Sequence, residues 1–255
     1  ESAKTPDGRY KLAQLVRANR AIDDICRAYR LPCISGKDSM KNDATLDGEK
    51  ISVPPTILFS LVGNHSDVRK AVSSDFKKKG DSIYLLGETH QELGASELAF
   101  MLRDEGQGGI GGSVPAIDPS RNLAMYRALT GAMRKSLVSS AHDCSDGGLA
   151  VALAECCFGA DSGATVELDS ILRGSEALDK WGALFGESLG RILVSVKEES
   201  REEFEVAMTG HACHHLGTVI EGDEITFSNN GEEILVTSMS EARSAWKKAL
   251  DGGGA

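Results

Sequence analysis

The segment from residue 136 to residue 154 places the strongest constraint on the fold. An apolar run over residues 136–141 predicts a short buried strand, and the small apolar residues after Gly148 predict a helix. Between them lies a polar stretch, His142 to Asp146, followed by two glycines. We therefore expect the polar residues on a strand-to-helix turn, where free backbone N–H groups and the positive helix end favour phosphate.

This polar stretch admits two interpretations. Asp143 or Asp146 can hold a Mg²⁺ ion that bridges phosphate oxygens, because Mg²⁺ prefers a few carboxylates together with phosphate and water. Alternatively, Ser145 or Asp146 caps the helix, and Gly147 and Gly148 form a tight turn. The local sequence leaves both interpretations open.

Alternating strand-like and helix-like segments predict an α/β (α+β) fold. A polar connector over residues 65–79 predicts a domain boundary, which we place between residues 66 and 67. The Asn229-Asn230-Gly231 stretch predicts a hairpin. The predicted strands are 31–35, 51–63, 82–86, 136–141, 164–168, 192–196, 216–220, 225–228 and 233–237. The predicted helices are 12–30, 94–103, 124–137, 176–183, 198–209 and 240–250, besides the helix after Gly148.

Composition narrows the classes of function. The chain has 255 residues and a formal net charge of −10, which argues against a nucleic-acid surface because phosphate backbones attract an excess of lysine and arginine. No apolar stretch is long enough to span a bilayer, and no signal peptide is visible. The spacing of the six cysteines does not suggest a disulfide scaffold. We therefore expect reduced thiols and a cytoplasmic location.

Two further loops carry chemistry of their own. Gly36, Lys37 and Asp38 follow a predicted strand, so backbone N–H groups, a cation and a carboxylate can converge on one phosphate group; the loop lacks the first glycine of a Walker A motif. Ser188 and Arg191 flank a glycine before a predicted strand, where a guanidinium can bind an anion. Simple polar turns, with an ion pair between Glu187 and Arg191 in the second loop, explain the same residues.

Two other segments suggest weaker alternatives. The glycine-dense loop over residues 106–115 suits a phosphate-approaching loop or lid, or an ordinary surface loop. The run from His211 to His215 contains four candidate zinc ligands, but neighbouring side chains cannot all face one ion, and no second ligand pair has finger spacing. We expect a helix-end and loop cluster there.

The order of these motifs resembles the second half of phosphoribosylformylglycinamidine synthase, a member of the aminoimidazole-ribonucleotide-synthetase-like superfamily. The matching stretches are 4–8, 15–19, 35–42, 112–115, 141–150 and 185–191. The resemblance implies that residues 1–66 are the C-terminal part of a barrel-forming domain. It also implies that residues 67–255 are a complete α/β domain.

The resemblance implies an ATP-dependent ligase of purine synthesis. Such an enzyme phosphorylates the formamide oxygen of formylglycinamide ribonucleotide, because phosphate leaves well and an amide oxygen leaves badly. Ammonia from glutamine then displaces phosphate to give the amidine. Implied partners are the N-terminal half of the same enzyme, a glutamine amidotransferase subunit and a small accessory subunit, and implied cofactors are ATP and Mg²⁺.

Site residues follow from the same resemblance, position by position. Gly36 matches a position that contacts ATP, and Ser39 matches a substrate-binding position. Lys37 stands where many relatives have a metal-binding asparagine, and a charged lysine cannot ligate Mg²⁺. Either Asp38 replaces that ligand, or Lys37 takes part in ATP binding by contacting phosphate directly. Asp143 matches a metal-binding aspartate. The catalytic histidine of the family lies in the other half, so we expect this chain alone to be inert.

Two alternatives share the architecture: an ATP-dependent small-molecule kinase of the same superfamily, and a non-catalytic scaffold half that binds nucleotide only for stability. A parent reading frame that extends several hundred residues upstream would favour the ligase. The predicted strand 51–63 would leave an unpaired edge, so we expect it either to pair with a second copy of the chain or to be mobile.

Overall fold

The structure is a computed structural model that describes residues 6–37, 39, 43–52, 56–106, 112–173 and 177–248. It divides into two compact units, Glu1–Ser66 and Asp67–Ala255. None of the helices in the described ranges combines the length and apolar character needed to cross a membrane.

The first unit contains one long helix and one hairpin. Helix α1 spans Pro6–Tyr29, strand β1 spans Asp43–Leu46 and strand β2 spans Glu49–Ser52. The two strands pair antiparallel in a two-stranded sheet. Gly48, at φ +83°, occupies the turn between them.

Two predicted strands of this unit are wrong. Residues 31–35 form no strand, because the chain turns back at the end of α1 and Pro32 offers no backbone N–H. Strand β2 stops at Ser52, and the described residues 56–63 lie outside any strand, with apolar side chains such as Leu58 and Val62 exposed. The two prolines before this segment, at 54 and 55, lie outside the described residues.

The second unit is built on a seven-stranded mixed sheet in the order β4-β6-β3-β7-β5-β8-β9. All neighbours pair antiparallel except β5 and β8, which run parallel. The strands are β3 Ser82–Leu86, β4 Ser140–Asp143, β5 Gly163–Glu167, β6 Ile192–Val196, β7 Cys213–Ile220, β8 Glu224–Asn229 and β9 Glu232–Ser238. The helices are α2 Glu97–Asp104, α3 Pro119–Arg134, α4 Gly148–Phe158, α5 Asp169–Leu172, α6 Lys180–Phe185, α7 Arg201–Ala207 and α8 Met239–Lys248.

Apolar side chains cover both faces of this sheet. Along β3, Ile83 and Leu85 pack into one cluster with residues of α4 and α6. Tyr84 and Leu86 point to the opposite face and pack with residues of α3 and α7. The alternation follows from the pleat of a strand, so a fully buried strand reads as a continuous apolar run. The α/β fold predicted from the sequence is confirmed.

Some boundaries differ from the prediction because residues predicted in a strand belong to the turn that ends the preceding helix. Strand β4 begins at Ser140, because Ser136 adopts φ +61° and Leu137 donates back to the carbonyl of Ala132 to close α3. The predicted helix 176–183 is replaced by α6, which starts at Lys180. The hairpin at Asn230 and Gly231 is confirmed, with φ of +52° and +75° as a type I′ turn requires.

Candidate functional site

The candidate residues of the second unit lie at one edge of the large sheet, where β3 and β4 end and β6 begins. Asp143 at the end of β4 pairs with Ile192 at the start of β6, and Ile192 pairs with Leu86 at the end of β3. The segments that leave β3 and β4 and enter β6 therefore lie along one edge. We call residues 87–96, 143–148 and 185–191 the loop cluster.

The strand-to-helix turn is made by glycine and not by a side-chain cap. Gly147 occupies the N-cap of α4 at φ +77°, so the N-cap residue itself has no side chain that could cap the helix. The expected cap by Ser145 or Asp146 is therefore wrong, because the hydroxyl of Ser145 donates to the carboxylate of Asp143 instead. The strand-to-helix turn itself is confirmed.

Gly148 permits close packing inside the loop cluster. Its φ is +67°, and a Cβ added there would lie 2.5 Å from the carbonyl oxygen of Gly186 and 2.9 Å from that of Leu184. A side chain at this position would need both a left-handed backbone and space that the neighbouring backbone already fills. The glycine pair therefore lets α4 begin directly against the loop that enters β6.

Glu187 joins two helix starts across the loop cluster. Its Oε1 atom lies 2.9 Å from the backbone nitrogen of Gly147 and 2.9 Å from that of Glu97, the first residue of α2. These N–H groups have no partner inside their helices, and the positive helix ends favour a negative charge. The place where the sequence predicted a phosphate is therefore occupied, in part, by a carboxylate of the chain itself.

Asp143 presents an exposed, ionised carboxylate at this edge. Its side chain is 73% exposed, and one oxygen lies 3.5 Å from Nδ1 of His142. The hydrogen bond from Ser145 is the main cause that lowers the pKa of Asp143 below its ordinary value. The carboxylate therefore stays charged well below neutral pH and keeps lone pairs that face solvent.

His142 is held between two carboxylates. Its Nε2 lies 2.9 Å from Oε2 of Glu155 on α4, while its Nδ1 faces Asp143. Glu155 is two helical turns beyond the start of α4, so the strand, the turn and the helix are linked through one imidazole. This link fixes the ring that orients the exposed carboxylate.

Ser188 and Arg191, predicted as phosphate contacts, lie in the protein interior. Each is only 1% exposed. Arg191 donates to the carbonyl oxygens of Gly186 and Ser188 and to the hydroxyl of Thr89, and burial lowers its pKa. The hydroxyl of Ser188 accepts the N–H of His90 at 3.0 Å. In this geometry both residues shape the loop cluster and neither faces solvent.

The remaining predicted contacts belong to the first unit. Gly36, Lys37 and Ser39 lie in an exposed stretch without regular secondary structure after α1. A Cβ added at Gly36 would meet no atom within 4 Å, so nothing in the described part of the chain crowds this glycine. Asp38 lies outside the described residues. Half of the glycine-dense loop, residues 107–111, lies outside them as well.

The histidine-rich segment is a strand and not the expected helix-end and loop cluster. Cys213, His214 and His215 lie within β7, where successive side chains point to opposite faces of the sheet. Burial is the main cause that lowers the pKa of both His214 and His215. In the described ranges no group of three metal-ligating side chains can hold an ion.

A magnesium ion fits the loop cluster only with help from a ligand. Asp143 supplies one ionised carboxylate, and Mg²⁺ commonly takes one or two protein carboxylates while phosphate and water fill its other positions. The exposed oxygens of Asp143 therefore fit a metal that arrives with a nucleotide. They do not form a closed cage that would hold the bare ion.

The family of the chain is decided by its second unit. Residues 78–229, more than half of the chain, match the family model described as AIR synthase related protein, C-terminal domain. The chain belongs to this family. The match includes every strand of the large sheet from β3 to β8 and the whole loop cluster.

Solved structures share this AIR synthase-like fold. Thermotoga maritima PurL complexed with FGAR is 20% identical and superposes with a TM-score of 0.60 over 69% of this chain and 30% of that chain. T. maritima PurL complexed with ATP is 17% identical and superposes with a TM-score of 0.56 over 69% of this chain and 27% of that chain. Phosphoribosylformylglycinamidine synthase II from the same organism is 20% identical, with a TM-score of 0.57 over 69% of this chain and 28% of that chain. The chain therefore spans less than a third of the length of these structures.

Two residues of this AIR synthase related domain escaped the sequence analysis as parts of the site. Glu187 was considered only as an ion-pair partner of Arg191, and its contact with Gly147 crosses 40 residues of sequence. Glu155 carries no motif, although its position seven residues after Gly148 places it on the same helix face. Of these two contacts, only that of Glu155 with His142 could have been suggested by the sequence, through the spacing along α4.

Proposed function

We propose that this chain is the C-terminal part of an ATP-dependent ligase that converts formylglycinamide ribonucleotide to formylglycinamidine ribonucleotide with glutamine-derived ammonia. Membership in the AIR synthase related family and a fold shared with PurL support the proposal. The observation that carries it is the exposed, ionised carboxylate of Asp143, set on the turn between β4 and α4.

Asp143 would act as the protein ligand of Mg²⁺ with a bound nucleotide. When bound, the ion would offset negative charge on the phosphate oxygens. The hydroxyl of Ser145 holds one carboxylate oxygen in place and favours its ionised form. His142, fixed by Glu155, lies beside the other oxygen. These contacts limit the rotation of a carboxylate that must be correctly oriented when the metal arrives.

Because Glu187 accepts the N–H at the start of α4, we expect the metal ion, and not the helix end, to bind the phosphate. Because its carboxylate already accepts the N–H of Gly147 at the start of α4, a nucleotide phosphate would meet this domain through the ion on Asp143. A bare phosphate beside Glu187 would be repelled by its negative charge. This arrangement makes nucleotide binding depend on the metal.

The first unit would contribute through the stretch after α1. Gly36 offers an uncrowded backbone for close approach to ATP, Lys37 offers a point charge, and Ser39 is the candidate for substrate binding. Asp38 is kept as a second candidate metal ligand. The first unit, in this proposal, is the C-terminal part of a barrel-forming domain.

The proposed partners complete the enzyme. They are the N-terminal half of the same enzyme, a glutamine amidotransferase subunit that delivers ammonia, and a small accessory subunit. We assign no catalytic residue to this chain, and we expect the isolated chain to form no amidine from formylglycinamide ribonucleotide, ATP, Mg²⁺ and ammonium. Amidine formation by the isolated chain would refute this division of roles.

A product assay on the full reading frame that contains this chain tests the function. ATP, Mg²⁺, formylglycinamide ribonucleotide and ammonium are supplied, and mass spectrometry identifies the products. The proposal predicts ADP, phosphate and the amidine in equal amounts, with a loss of at least about tenfold on Asp143→Asn, a typical cost of losing a metal ligand. ADP formed with a stable phosphorylated small molecule, and no amidine, would support a kinase instead.

A further inference from the structure

Two thiols of the first unit lie in contact. The Sγ atoms of Cys26 and Cys33 are 3.5 Å apart. Cys26 is half-buried near the end of α1, and Cys33 is exposed in the stretch that follows the helix. Both sulfurs are therefore within reach of a small dissolved oxidant, and a short movement brings them to bonding distance.

The other cysteines of the chain are in a different environment. Burial is the largest cause that raises their pKa, to about 11 for Cys144 and about 12 for Cys157 and Cys213, and it raises the pKa of Cys156 further. Cys144, Cys156 and Cys157 are also shielded from solvent. Because the thiolate is the reactive form, these thiols are expected to resist oxidation.

The backbone fixes the contact between Cys26 and Cys33. Helix α1 ends in a Schellman motif, in which Leu31 donates to the carbonyl of Cys26 at 2.9 Å and Arg30 donates to that of Arg27 at 3.3 Å. Arg30 takes the left-handed conformation, at φ +56°, that this motif requires. The turn folds the chain back along the last helical turn and brings Cys33 beside Cys26.

We propose that Cys26 and Cys33 form a reversible dithiol–disulfide pair that exchanges with low-molecular-weight disulfides of the glutathione class. This site is independent of the proposed ligase function, because it depends only on the two thiols and the turn between them.

The exchange proceeds in two balanced steps. The thiolate of Cys33 attacks one sulfur of oxidised glutathione, forms a mixed disulfide and releases one glutathione thiolate. Cys26 then loses its proton to solvent and attacks the sulfur of Cys33, releasing the second glutathione thiolate. Overall, two protein thiols are oxidised to one disulfide, and one oxidised glutathione is reduced to two glutathione molecules.

The surroundings of Cys26 favour Cys33 as the first nucleophile. The pKa of Cys26 is raised, chiefly by its hydrogen bond with Cys33, and the neighbouring Asp23 adds to the shift. Asp23 itself is paired with Arg27 at 2.9 Å. Cys33 is also the more exposed of the two residues, so it meets the oxidant first.

The disulfide would restrain the stretch that leads to Gly36. Cys33 precedes Gly36 by three residues, and Ile34 and Ser35 between them are exposed and outside regular secondary structure. Oxidation would tie this stretch covalently to the end of α1. Reduction would leave this stretch held to the end of α1 by non-covalent contacts, among them the contact of the two thiols and the hydrogen bonds of the Schellman motif.

Peptide mapping of the whole chain tests the pair. The protein is equilibrated with oxidised and reduced glutathione, alkylated and digested with trypsin, which cleaves after Arg20, Arg27, Arg30 and Lys37. The proposal predicts peptide 21–27 linked to peptide 31–37, with free thiols falling from six to four per chain. Dithiothreitol should restore all of them.

Single-cysteine variants separate the two thiols. Cys26→Ser should stop at a glutathione mixed disulfide on Cys33, whereas the control Cys213→Ser should keep the linked peptides. Circular dichroism of each variant, unchanged from wild type, shows that the fold is retained. Wild-type protein that stays fully reduced in excess oxidised glutathione, or that carries glutathione on Cys33 without the linked peptides, would overturn the proposal.

Discussion

Glu187 closes the N-terminal end of α4 by accepting the backbone N–H of Gly147 at 2.9 Å, although 40 residues separate them in sequence. The same oxygen accepts the N–H of Glu97 at the start of α2. One carboxylate therefore holds two helices and the loop before β6 in a fixed arrangement. Asp143 lies four residues before this joint, so its position depends on the joint as well.

Replacing Glu187 tests this joint. Glu187→Ala should lower the free energy of unfolding by about 2 kcal/mol, because two helix-end N–H groups lose a charged acceptor. Glu187→Gln should recover about half of that loss, since an amide oxygen still accepts a hydrogen bond. Urea unfolding measures both variants. The exposed Glu232→Gln is the matched control and should change stability by less than about 0.5 kcal/mol.

Two glycines should respond to alanine with opposite signs. Gly148→Ala should destabilise by more than about 3 kcal/mol, because its backbone is left-handed and a Cβ would meet two carbonyl oxygens. Gly131→Ala, in the last turn of α3, where an added Cβ would meet no neighbouring atom of the described residues within 4 Å, should stabilise by about 0.5–1 kcal/mol. Thermal unfolding shows both shifts. Equal tolerance at the two positions would contradict the packing described for Gly148.

The buried guanidinium of Arg191 should be essential for stability. Arg191→Ala removes three hydrogen bonds and leaves buried carbonyl oxygens without a donor, at an expected cost of about 3–5 kcal/mol. Arg191→Lys should restore little, because an ammonium cannot reproduce the planar fork. The exposed Arg127→Ala on α3 is the control. A small effect of Arg191→Ala in denaturant titration would contradict a structural role.

Ser145 should control the ionisation of Asp143. Ser145→Ala removes the hydroxyl that chiefly lowers the pKa of Asp143, so this pKa should rise toward its ordinary value, about 3.9. Carbon-13 NMR of the carboxyl group follows the titration. A carboxylate whose pKa is lower in the folded than in the unfolded state stabilises the fold at pH values above the unfolded-state pKa. The stability difference between wild type and variant should therefore be present at neutral pH and shrink as pH falls below about 4. An unchanged pKa would contradict the contact.

The sequence predicted buried strands well because their apolar runs are local. Residues 82–86 and 192–196 were predicted with the bounds that β3 and β6 show. Two errors lie where a helix end determines the backbone. Residues 31–35 and 136–139 have the composition of strands. Schellman turns at the ends of α1 and α3 reverse the chain there, so no strand forms over these residues. The start of β7 was missed because polar residues occupy a strand that is held by its neighbours.

The candidate site could be predicted only in part. The Asp143 motif is contiguous, so its turn was visible in the sequence. Glu187, which holds the start of α4, lies 40 residues from Gly147 and 90 from Glu97, and no spacing in the sequence links them. Ser188 and Arg191 have the side chains of an anion site, yet both are buried, and their hydrogen bonds go to backbone atoms and to the hydroxyl of Thr89. Residue type alone does not distinguish a buried guanidinium from an exposed one.

Isothermal titration of the chain with ATP, with and without Mg²⁺, tests whether Asp143 binds the metal that accompanies the nucleotide. We expect saturable binding that requires Mg²⁺ and weakens by at least about tenfold in Asp143→Asn. The control Asp104→Asn removes a carboxylate of similar exposure, 72%, on α2 and should leave binding unchanged. Binding that is equally tight without Mg²⁺, or unaffected by Asp143→Asn, would contradict the assignment of Asp143 as the metal ligand.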